Sequence, residues 1–459
     1  MKIILINPPR EVLQVPDYPP LGLAYISAAV RQDGHDVKIL DAASWSWQKL
    51  ANEVKNQLPD IVGITCWTIE RGQAFKAASI VKKVAPNCRI IMGGPHATAF
   101  PKYMFLQAPV DYVVLGEGEE TIRELLSVIE KSGDLSLVKG IAFKKYDGIV
   151  VTDRREMIKD INEIPFINHL EFDYNTYNGL PETKRKSAAI MTSRGCPFRC
   201  TYCSSSIYWA RKYRTRSIEN VIIEIEDLYY NHGIRALLIF DDNMLIARKH
   251  CIEFCKALIE KKLDLVWVAE GSVKVDSEML QWMKLAGCYR IDFGVESGSP
   301  IILKNINKPF SVDDTRNAFK LCKEVGIQPN AYLIFGSPGE TKETINATIS
   351  LIRDIQPELT DGRPGVWILP DTEIYELSKR KGVINDEIWL KTDDTLYYTA
   401  EHSEEELYSL VRQFKLGMFR GKNYFKYFML TLLGWLPYKI EHKLLFIYRT
   451  IISYRCLIY

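Results

Sequence analysis

Apolar runs of strand length alternate with helical patterns along most of the chain, and this alternation restricts the fold more than any other feature. In the first part of the chain, the runs Lys2–Asn7 and Asp60–Thr65 are separated by segments with helical spacing such as Leu21–Arg31. Alternation of this kind predicts parallel strands joined by helices. We therefore predict a doubly wound, Rossmann-like α/β domain over residues 1–152, closed by a hairpin at Phe143–Thr152.

Polar and glycine-rich turns follow the predicted strands of this first domain. The carboxyl ends of the strands form the ligand crevice of an open parallel sheet, and glycine lets a ligand approach the backbone. No Gly-x-Gly-x-x-Gly follows the first strand, which argues against an ordinary dinucleotide site. The alternative is that the glycines only make tight turns. The candidate crevice residues are Pro9, Thr65, Thr68, Gly93, Gly94, His96, Gly116, Glu117 and Gly118.

Three cysteines, Cys196, Cys200 and Cys203, lie on one short loop after the predicted strand Ala188–Thr192. Their C-x3-C-x2-C spacing lets three thiolates converge on an iron–sulfur cluster. Three ligands leave one iron of a [4Fe–4S] cube open for a substrate or cofactor. A zinc site usually needs a fourth Cys or His at a matching distance, which the downstream histidines do not provide. Three purely structural cysteines are the alternative.

Composition excludes several classes of protein. The chain has 459 residues, and its 59 basic and 57 acidic residues give a net charge of +2, which argues against a nucleic-acid binder. Its ten cysteines are too sparse for a disulfide scaffold. No stretch reaches the ~18 apolar residues that span a bilayer, and the apolar run at the N-terminus is too short for a secretory signal. We expect a cytoplasmic protein with reduced thiols.

The cysteine loop, with the aromatic Tyr202 directly before its third cysteine, resembles the signature of the radical S-adenosylmethionine (SAM) enzymes. Later segments are similar to the barrel of that family, since strand-length runs again alternate with helices. The resemblance implies a partial (βα)6 TIM-type barrel over residues 186–385, with Gly365–Leu369 as the candidate sixth strand. It also implies that the open iron binds SAM, which is cleaved by one electron to a 5′-deoxyadenosyl radical.

Polar motifs follow the predicted barrel strands, where βα barrels place their active residues. Asp241 and Asp242 resemble the family motif that receives the SAM amino group. Glu296 and Ser297 resemble the motif for its ribose and carboxylate, and Gly336 the motif near its adenine. A helix cap, a structural carboxylate and a turn are the alternatives for these positions. The residues implied in SAM binding are Tyr202, Asp241, Asp242, Glu296, Ser297 and Gly336.

An α/β domain ahead of such a barrel is similar to the cobalamin (B12)-binding subgroup of this family. Gly93-Gly94-Pro95-His96 and Gly116-Glu117-Gly118-Glu119 carry that resemblance. Many B12 domains contain Asp-x-His-x-x-Gly, which Asp33-Gly34-His35 begins without reaching its glycine. We therefore predict that His35 is structural and that no histidine ligates cobalt. The resemblance implies cobalamin as a third cofactor, bound by the crevice residues given above.

The implied function is C-methylation of an unactivated carbon of a small molecule, with cobalamin as the carrier of the methyl group. Cyclisation or rearrangement without methyl transfer is the alternative within the family. A non-enzymatic cobalamin or redox sensor is a more distant alternative, which the motifs at the ends of the barrel strands disfavour. The resemblance also implies an external electron donor of the flavodoxin or ferredoxin type.

The end of the chain differs in composition from the rest. We interpret residues 153–185 as a linker and residues 386–459 as a helical C-terminal region. From residue 420 onward, seven basic residues and one acidic residue are interleaved with aromatic residues. Such interleaving suits a membrane interface, and the alternative is a helix pair packed on the barrel. Contact of residues 420–459 with the inner face of a membrane would favour a lipid or isoprenoid substrate.

Overall fold

A computed structural model describes residues 1–10, 15–146, 148–392 and 394–419. Two largely parallel β-sheets follow one another along the chain, with helices between their strands. This architecture confirms the predicted α/β fold class. No helix within the described ranges is long and apolar enough to cross a bilayer. The basic and aromatic tail at 420–459, with its predicted membrane contact, lies outside the described residues.

The first sheet and its helices are built from residues 1–152. In chain order the elements are β1 (Lys2–Asn7), α1 (Leu21–Arg31), β2 (Asp36–Asp41), α2 (Trp47–Gln57), β3 (Ile61–Thr65), α3 (Arg71–Val84), β4 (Arg89–Gly93), α4 (Pro95–Ala99), α5 (Pro101–Gln107), β5 (Tyr112–Val114), α6 (Glu119–Glu130), β6 (Ile141–Lys145) and β7 (Gly148–Val151). The strand order is β2-β1-β3-β4-β5-β6-β7. The first five strands are parallel, and β6 and β7 form the predicted antiparallel hairpin. Apolar residues of α1 and α6 cover one face, and those of α2 and α3 cover the other.

The second sheet is an open barrel. Its region contains β8 (Ser187–Ile190), β9 (Ser193–Arg194), α7 (Ser205–Tyr208), β10 (Arg214–Thr215), α8 (Ile218–His232), β11 (Ala236–Ile239), α9 (Arg248–Glu260), β12 (Val266–Gly271), α10 (Ser277–Leu285), β13 (Cys288–Glu296), α11 (Pro300–Asn305), α12 (Val312–Val325), β14 (Gln328–Phe335), α13 (Lys342–Ile355), β15 (Thr360–Pro364), α14 (Glu373–Arg380), α15 (Ile388–Lys391) and α16 (Glu404–Phe419). Six strands are parallel in the sequential order β8-β11-β12-β13-β14-β15. The edge strands β8 and β15 do not pair with each other, so the barrel is partial.

The sixth barrel strand differs from the prediction of Gly365–Leu369. The structure places it at Thr360–Pro364, a polar segment with low intrinsic β propensity. Gly365 ends the strand with a φ of 89°, and a Cβ there would lie 2.5 Å from the ring of Tyr397. The apolar residue Val366 suggested a strand, but it is buried in a cluster formed mainly by the C-terminal segment.

Local signals explain where the barrel helices begin and end. Helix α12 begins at a capping box made by Ser311 and Asp314, and it ends at Gly326 with a φ of 78°. Helix α8 begins after Ser217, whose side chain caps its N-terminus, and it ends at Gly233 with a φ of 68°. The helical spacing in the sequence predicts these helices at Val312–Val325 and Ile218–Asn231, and the observed bounds agree to within one residue because the signals are local.

The segment 153–185, predicted to link the domains, contributes several of its apolar side chains to the core. Phe172 and Tyr174 are buried in the same apolar cluster as Tyr25 of α1 and the barrel strands. This shared cluster packs the first domain directly against the barrel. The boundaries of the predicted domains stay predictions.

Candidate active site

The cysteine loop lies between β9 and α7. Cys196, Cys200 and Cys203 are all half-buried, and none forms a disulfide. Burial raises the pKa of the Cys196 thiol and raises that of Cys200 to about 11, so both are protonated near neutral pH unless a metal displaces the proton. Within the described residues, no three His, Cys, Asp or Glu side chains surround a position for a single metal ion. Thiolates that bind separate irons of a cluster do not need to converge on one point.

Residues directly after β11 hold the cysteine loop in place. The carboxylate of Asp241 accepts hydrogen bonds from the backbone N–H groups and hydroxyls of Thr192 and Ser193, over 2.5–3.1 Å. Asp242 accepts a hydrogen bond from the N–H of Gly195 at 2.9 Å. Burial raises the pKa of Asp241 despite these four donors. Asp241 therefore has a positioning contact that its sequence motif did not reveal, and its role toward SAM stays a prediction.

Gly195 is required by the path of the loop. Its φ is 93°, in the left-handed region that favours glycine, and a Cβ would lie 2.0 Å from the carbonyl oxygen of Lys212. The loop can therefore turn toward Cys196 only with a glycine at this position.

Glu296 connects the end of β13 to the cysteine loop. The hydroxyl of Tyr202 donates to its Oε1 at 2.8 Å, and the Nζ of Lys308 lies 2.8 Å from the same atom. Glu296 has a φ of 63° at a break in the β13–β14 register, and a Cβ on Gly294 would lie 2.6 Å from its carboxylate. A strained backbone held by its surroundings is typical of functional sites.

Lys308 is a residue of this site that no sequence motif indicated. Burial lowers its pKa, but Glu296 and Cys200 together outweigh burial, and the net shift is upward. The ammonium therefore stays charged next to a cysteine of the loop. Only the tertiary contact with Glu296 identifies it, because it lies in a short connection without a recognisable pattern.

Ser297 and Gly336, both predicted to bind SAM, have packing contacts of their own. The Oγ of Ser297 lies 3.2 Å from Oγ1 of Thr348 on α13. A Cβ on Gly336 would lie 2.1 Å from a methyl group of Leu407 on α16. These contacts alone can explain why a serine and a glycine occupy these positions, so the roles of Ser297 and Gly336 toward SAM stay predictions.

The segment after β14 contains polar groups that lack a partner among the described residues. The Oγ of Ser337 and the Oε2 of Glu340 are buried without a hydrogen bond. Burial raises the pKa of Glu340 to about 7. Buried polar groups are normally hydrogen-bonded, so these atoms fit a polar ligand at the mouth of the barrel, near the residues predicted to bind SAM.

The predicted crevice residues lie along one edge of the first sheet. Pro9 follows β1, Thr65 and Thr68 lie at and after the end of β3, Gly93, Gly94 and His96 lie at the end of β4, and Gly116, Glu117 and Gly118 follow β5. Gly94 has a φ of 101°, and a Cβ there would lie 3.0 Å from the carbonyl oxygen of Cys66. His35 lies before β2, at the opposite edge, with its Nδ1 3.3 Å from the amino group of Met1. This placement agrees with its predicted structural role.

His96 is buried at this edge, and neither ring nitrogen has a partner among the described residues. Burial lowers its pKa to about 3, so the imidazole is neutral. The rings of Phe100 and Trp389 lie 5.5 and 5.4 Å away. His96 has no hydrogen-bond partner among the described residues, and it lies close to the glycine turn at Gly93 and Gly94. Both features fit a crevice that receives a cofactor.

Glu117 joins the two domains through a buried ionic network. Its Oε1 lies 2.9 Å from Nη1 of Arg194, and its Oε2 lies 2.8 Å from Nη1 of Arg214 and accepts from the N–H of Ile158 at 2.9 Å. Arg194 also lies 2.6 Å from Glu119, and the four charged side chains are only 5–10% exposed. Both oxygens of Glu117 therefore have partners within the protein, and its role toward cobalamin stays a prediction.

The same network brings the crevice and the cysteine loop together. Arg194 lies two residues before Cys196, and Glu117 lies in the crevice loop after β5. In addition, the hydroxyl of Tyr208 on α7 donates to the carbonyl oxygen of Gly116 at 2.6 Å. The two predicted cofactor regions therefore meet at the interface between the domains.

Comparison with known proteins agrees with both halves of this arrangement. A model of the B12 binding domain matches residues 15–126, and a model of the radical SAM superfamily matches residues 190–352. An uncharacterized methyltransferase of Pyrococcus horikoshii is 33% identical over 428 residues, which cover 90% of this chain and 91% of the relative. The anaerobic magnesium-protoporphyrin IX monomethyl ester cyclase of Rubrivivax gelatinosus is 31% identical over 357 residues, 75% of this chain and 64% of the cyclase.

A solved structure shares the fold of both domains. The radical SAM methyltransferase TsrM from Kitasatospora setae, determined with cobalamin and a [4Fe–4S] cluster bound, superposes with a TM-score of 0.69. The match has 19% sequence identity and covers 83% of this chain and 75% of TsrM.

Proposed function

Because the chain belongs to the radical SAM superfamily, in the group with an N-terminal B12-binding domain, we propose that it methylates an unactivated carbon of a small-molecule substrate. It is a radical SAM enzyme, and its cofactors are a [4Fe–4S] cluster, SAM and cobalamin. The observation that carries the proposal is the contact of Glu117 with Arg194. It places the crevice loop beside the strand that leads into the cysteine loop, and this proximity supports transfer of a methyl group between the two cofactor regions.

When bound, the cluster and SAM supply hydrogen abstraction from the substrate, and cobalamin carries the methyl group. The residues of the chain position these groups. Asp241 and Asp242 hold the loop that presents the three cysteines. Glu296 and Lys308 form a buried ion pair against that loop at the mouth of the barrel. Arg194 and Glu117 set the separation between the two binding regions.

Cyclisation without methyl transfer is a second candidate reaction. It is supported by the 31% identity to the Rubrivivax gelatinosus cyclase. The match to the methyltransferase of Pyrococcus horikoshii extends over 91% of that protein, compared with 64% of the cyclase. The more complete match favours methyl transfer.

Product analysis after anaerobic reconstitution with iron, sulfide and a reductant tests the reaction. Methyl transfer predicts 5′-deoxyadenosine and, only when cobalamin and a methyl-accepting substrate are both added, S-adenosylhomocysteine as well. Cyclisation predicts 5′-deoxyadenosine alone. Absence of both products under every reductant would contradict the enzyme and support a sensor. Cys203→Ala should abolish both products and the bound iron, whereas Cys322→Ala, which removes a buried thiol on α12, should retain them.

The substrate and location are a further part of the proposal. The composition of residues 420–459 supports a lipid or isoprenoid substrate and peripheral contact with the inner face of a membrane. The full chain should sediment with anionic liposomes, and a chain ending at residue 419 should not. Equal behaviour of the two chains would contradict the membrane contact.

The reaction also consumes electrons, which an external redox protein supplies.

A further inference from the structure

Alternation along β12 identifies a carboxylate that points into the barrel. The indole Nε1 of Trp267 donates to the carbonyl oxygen of Ala286, and its ring lies 5.5 Å from that of Phe254 on α9. Trp267 therefore faces the outer helices. Successive side chains of a strand point to opposite faces, so Glu270, three residues later, faces the interior of the barrel.

The charged and polar groups of the neighbouring strands satisfy one another. Arg290 of β13 forms an ion pair with Asp292, with Nε 3.1 Å from Oδ1, and a second ion pair with Glu182. Asp292 also accepts hydrogen bonds from the side-chain amide of Asn330 at 2.7 Å and from the hydroxyl of Tyr332 at 3.2 Å. These contacts account for the polar residues of β13 and β14 without a ligand.

Glu270 differs from these groups because its carboxylate has no partner. It is half-buried, lies beside Asp292 in the pairing of β12 with β13, and forms no hydrogen bond or ion pair with a described residue. Burial and the negative charge of Asp292 raise its pKa to about 7, although Arg290 opposes this shift. The carboxylate therefore lacks a cation that would stabilise its charge.

Two hydroxyl groups close to Glu270 also lack a hydrogen-bond partner within the described part of the chain. The Oγ of Ser272, a residue only 5% exposed, lies two residues after Glu270 and thus on the same face. The hydroxyl oxygen of Tyr18 is buried, and Tyr18 lies close enough to Glu270 for their charges to interact. Buried polar groups are normally hydrogen-bonded, so these groups indicate a polar ligand.

The interior of the barrel also offers an accessible apolar surface. Phe240 directly follows β11 and is 50% exposed. It lies three residues after Leu237, the register partner of Trp267, and so faces the interior as Glu270 does. A mainly apolar space with a few polar groups is typical of small-molecule sites.

The charges around this space favour a cation. On β15, Asp361 is the register partner of Tyr332, and Arg363 follows Asp361 on the same face, so their opposite charges cancel. Arg290 is already shared by two carboxylates. The carboxylate of Glu270 is the charge that remains to be balanced, and a positively charged ligand would balance it.

Resting on the proposed function, we propose that Glu270 selects a substrate that carries a cationic nitrogen, such as a protonated primary amine. Its carboxylate accepts hydrogen bonds from this group, and the hydroxyls of Ser272 and Tyr18 are further acceptors. The ring of Phe240 contacts the carbons next to the nitrogen. A lipid substrate would need such a group to be held in the barrel.

Two probes of equal length test this selection, since hexylammonium carries a positive charge and 1-hexanol does not. Binding of each probe to the anaerobically reconstituted full chain is measured by isothermal titration calorimetry. Glu270→Gln keeps the size of the side chain and removes its charge. Glu253→Gln is the matched control, because Glu253 on α9 is 49% exposed and forms an ion pair with the exposed Lys249.

We expect the parent and Glu253→Gln to bind hexylammonium at least ~10-fold more tightly than 1-hexanol, because hydrogen bonds between charged groups are the stronger ones. Glu270→Gln should lose this preference and keep the parent affinity for 1-hexanol. A parent protein without the preference would overturn the proposal, whether or not the variant folds. A preference that persists in Glu270→Gln, at the iron content of the parent, would overturn it as well.

Two further measurements separate this selection from SAM binding and from the reaction. SAM should bind to the parent and to Glu270→Gln with equal affinity, and weaker binding to the variant would assign Glu270 to SAM and overturn the proposal. Formation of 5′-deoxyadenosine by a parent without the amine preference would overturn the selection and leave the proposed function intact. The amine preference without 5′-deoxyadenosine under any reductant would support the amine site and overturn the proposed function.

Discussion

Replacement of Glu117 by Gln tests the buried ionic network between the domains. The network consists of two guanidinium groups and two carboxylates, so Glu117→Gln leaves one positive charge without compensation at sites only 5–10% exposed. Removing one partner of a buried ion pair costs ~3–5 kcal/mol. Since each 1 kcal/mol shifts the melting temperature of a unit of ~150–250 residues by about 2–4 °C, we expect a decrease of roughly 6–20 °C.

Differential scanning calorimetry of the apoprotein measures this effect. Glu124→Gln is the matched control, because Glu124 on α6 forms an ion pair with Arg155 but is 42% exposed. A surface pair of this kind contributes ~0–1 kcal/mol. The double variant Glu117→Gln/Arg214→Gln restores electrical neutrality and should recover part of the loss. If Glu117→Gln lowers the melting temperature no more than Glu124→Gln, the reasoning from burial and charge is refuted.

Three further changes test the cysteine loop and the segment after β14. Gly195→Ala should prevent iron incorporation while the circular dichroism spectrum stays unchanged. The control Gly233→Ala should keep its iron, because Gly233 has a φ of 68° but no atom lies within 4 Å of a Cβ built there. Equal iron contents in the two variants would contradict the steric argument. Each carboxylate oxygen of Asp241 accepts two hydrogen bonds, and Asp241→Asn puts an NH2 group, which can only donate, in place of one of these oxygens. Its iron content should fall below that of Asp242→Asn, and the reverse order would count against this assignment. Native Glu340, with a pKa of about 7, holds its proton to higher pH than the unfolded chain, so stability should fall between about pH 4.5 and 7. Urea midpoints of Glu340→Gln should lack this decline, and parallel pH curves for the two proteins would rule it out.

Periodicity in the sequence predicted most helices and strands, because the pattern that buries one face of an element is local. Helices α10 and α13 have the bounds that their apolar spacing predicts, Ser277–Leu285 and Lys342–Ile355. Strand β15 was predicted in the wrong place because Thr360–Pro364 has little strand propensity of its own. Pairing with β14 holds it in the sheet.

The residues of the candidate site also divide into those that the sequence predicted and those that only the structure revealed. The cysteine spacing and the polar ends of the strands can be read along the chain, and they led to the family that the comparisons support. The contacts of Glu117 and Lys308 could not be predicted from the sequence, since neither residue belongs to a pattern that specifies its partner. Asp241 was predicted as a ligand contact, and its hydrogen bonds to Thr192 became visible only in the folded chain.

The sequence by itself determined two sheets of alternating strands and helices and a loop with three closely spaced cysteines, because these features depend on residues near one another in the chain. Tertiary structure decided which charges are paired and which loops meet. Arg194 and Glu117 are 77 residues apart in sequence, and their pairing depends on how the first domain packs against the barrel. Since burial makes an unpaired charge costly, that packing decides that Arg194 is matched with a carboxylate and that Arg211 is left exposed at the surface.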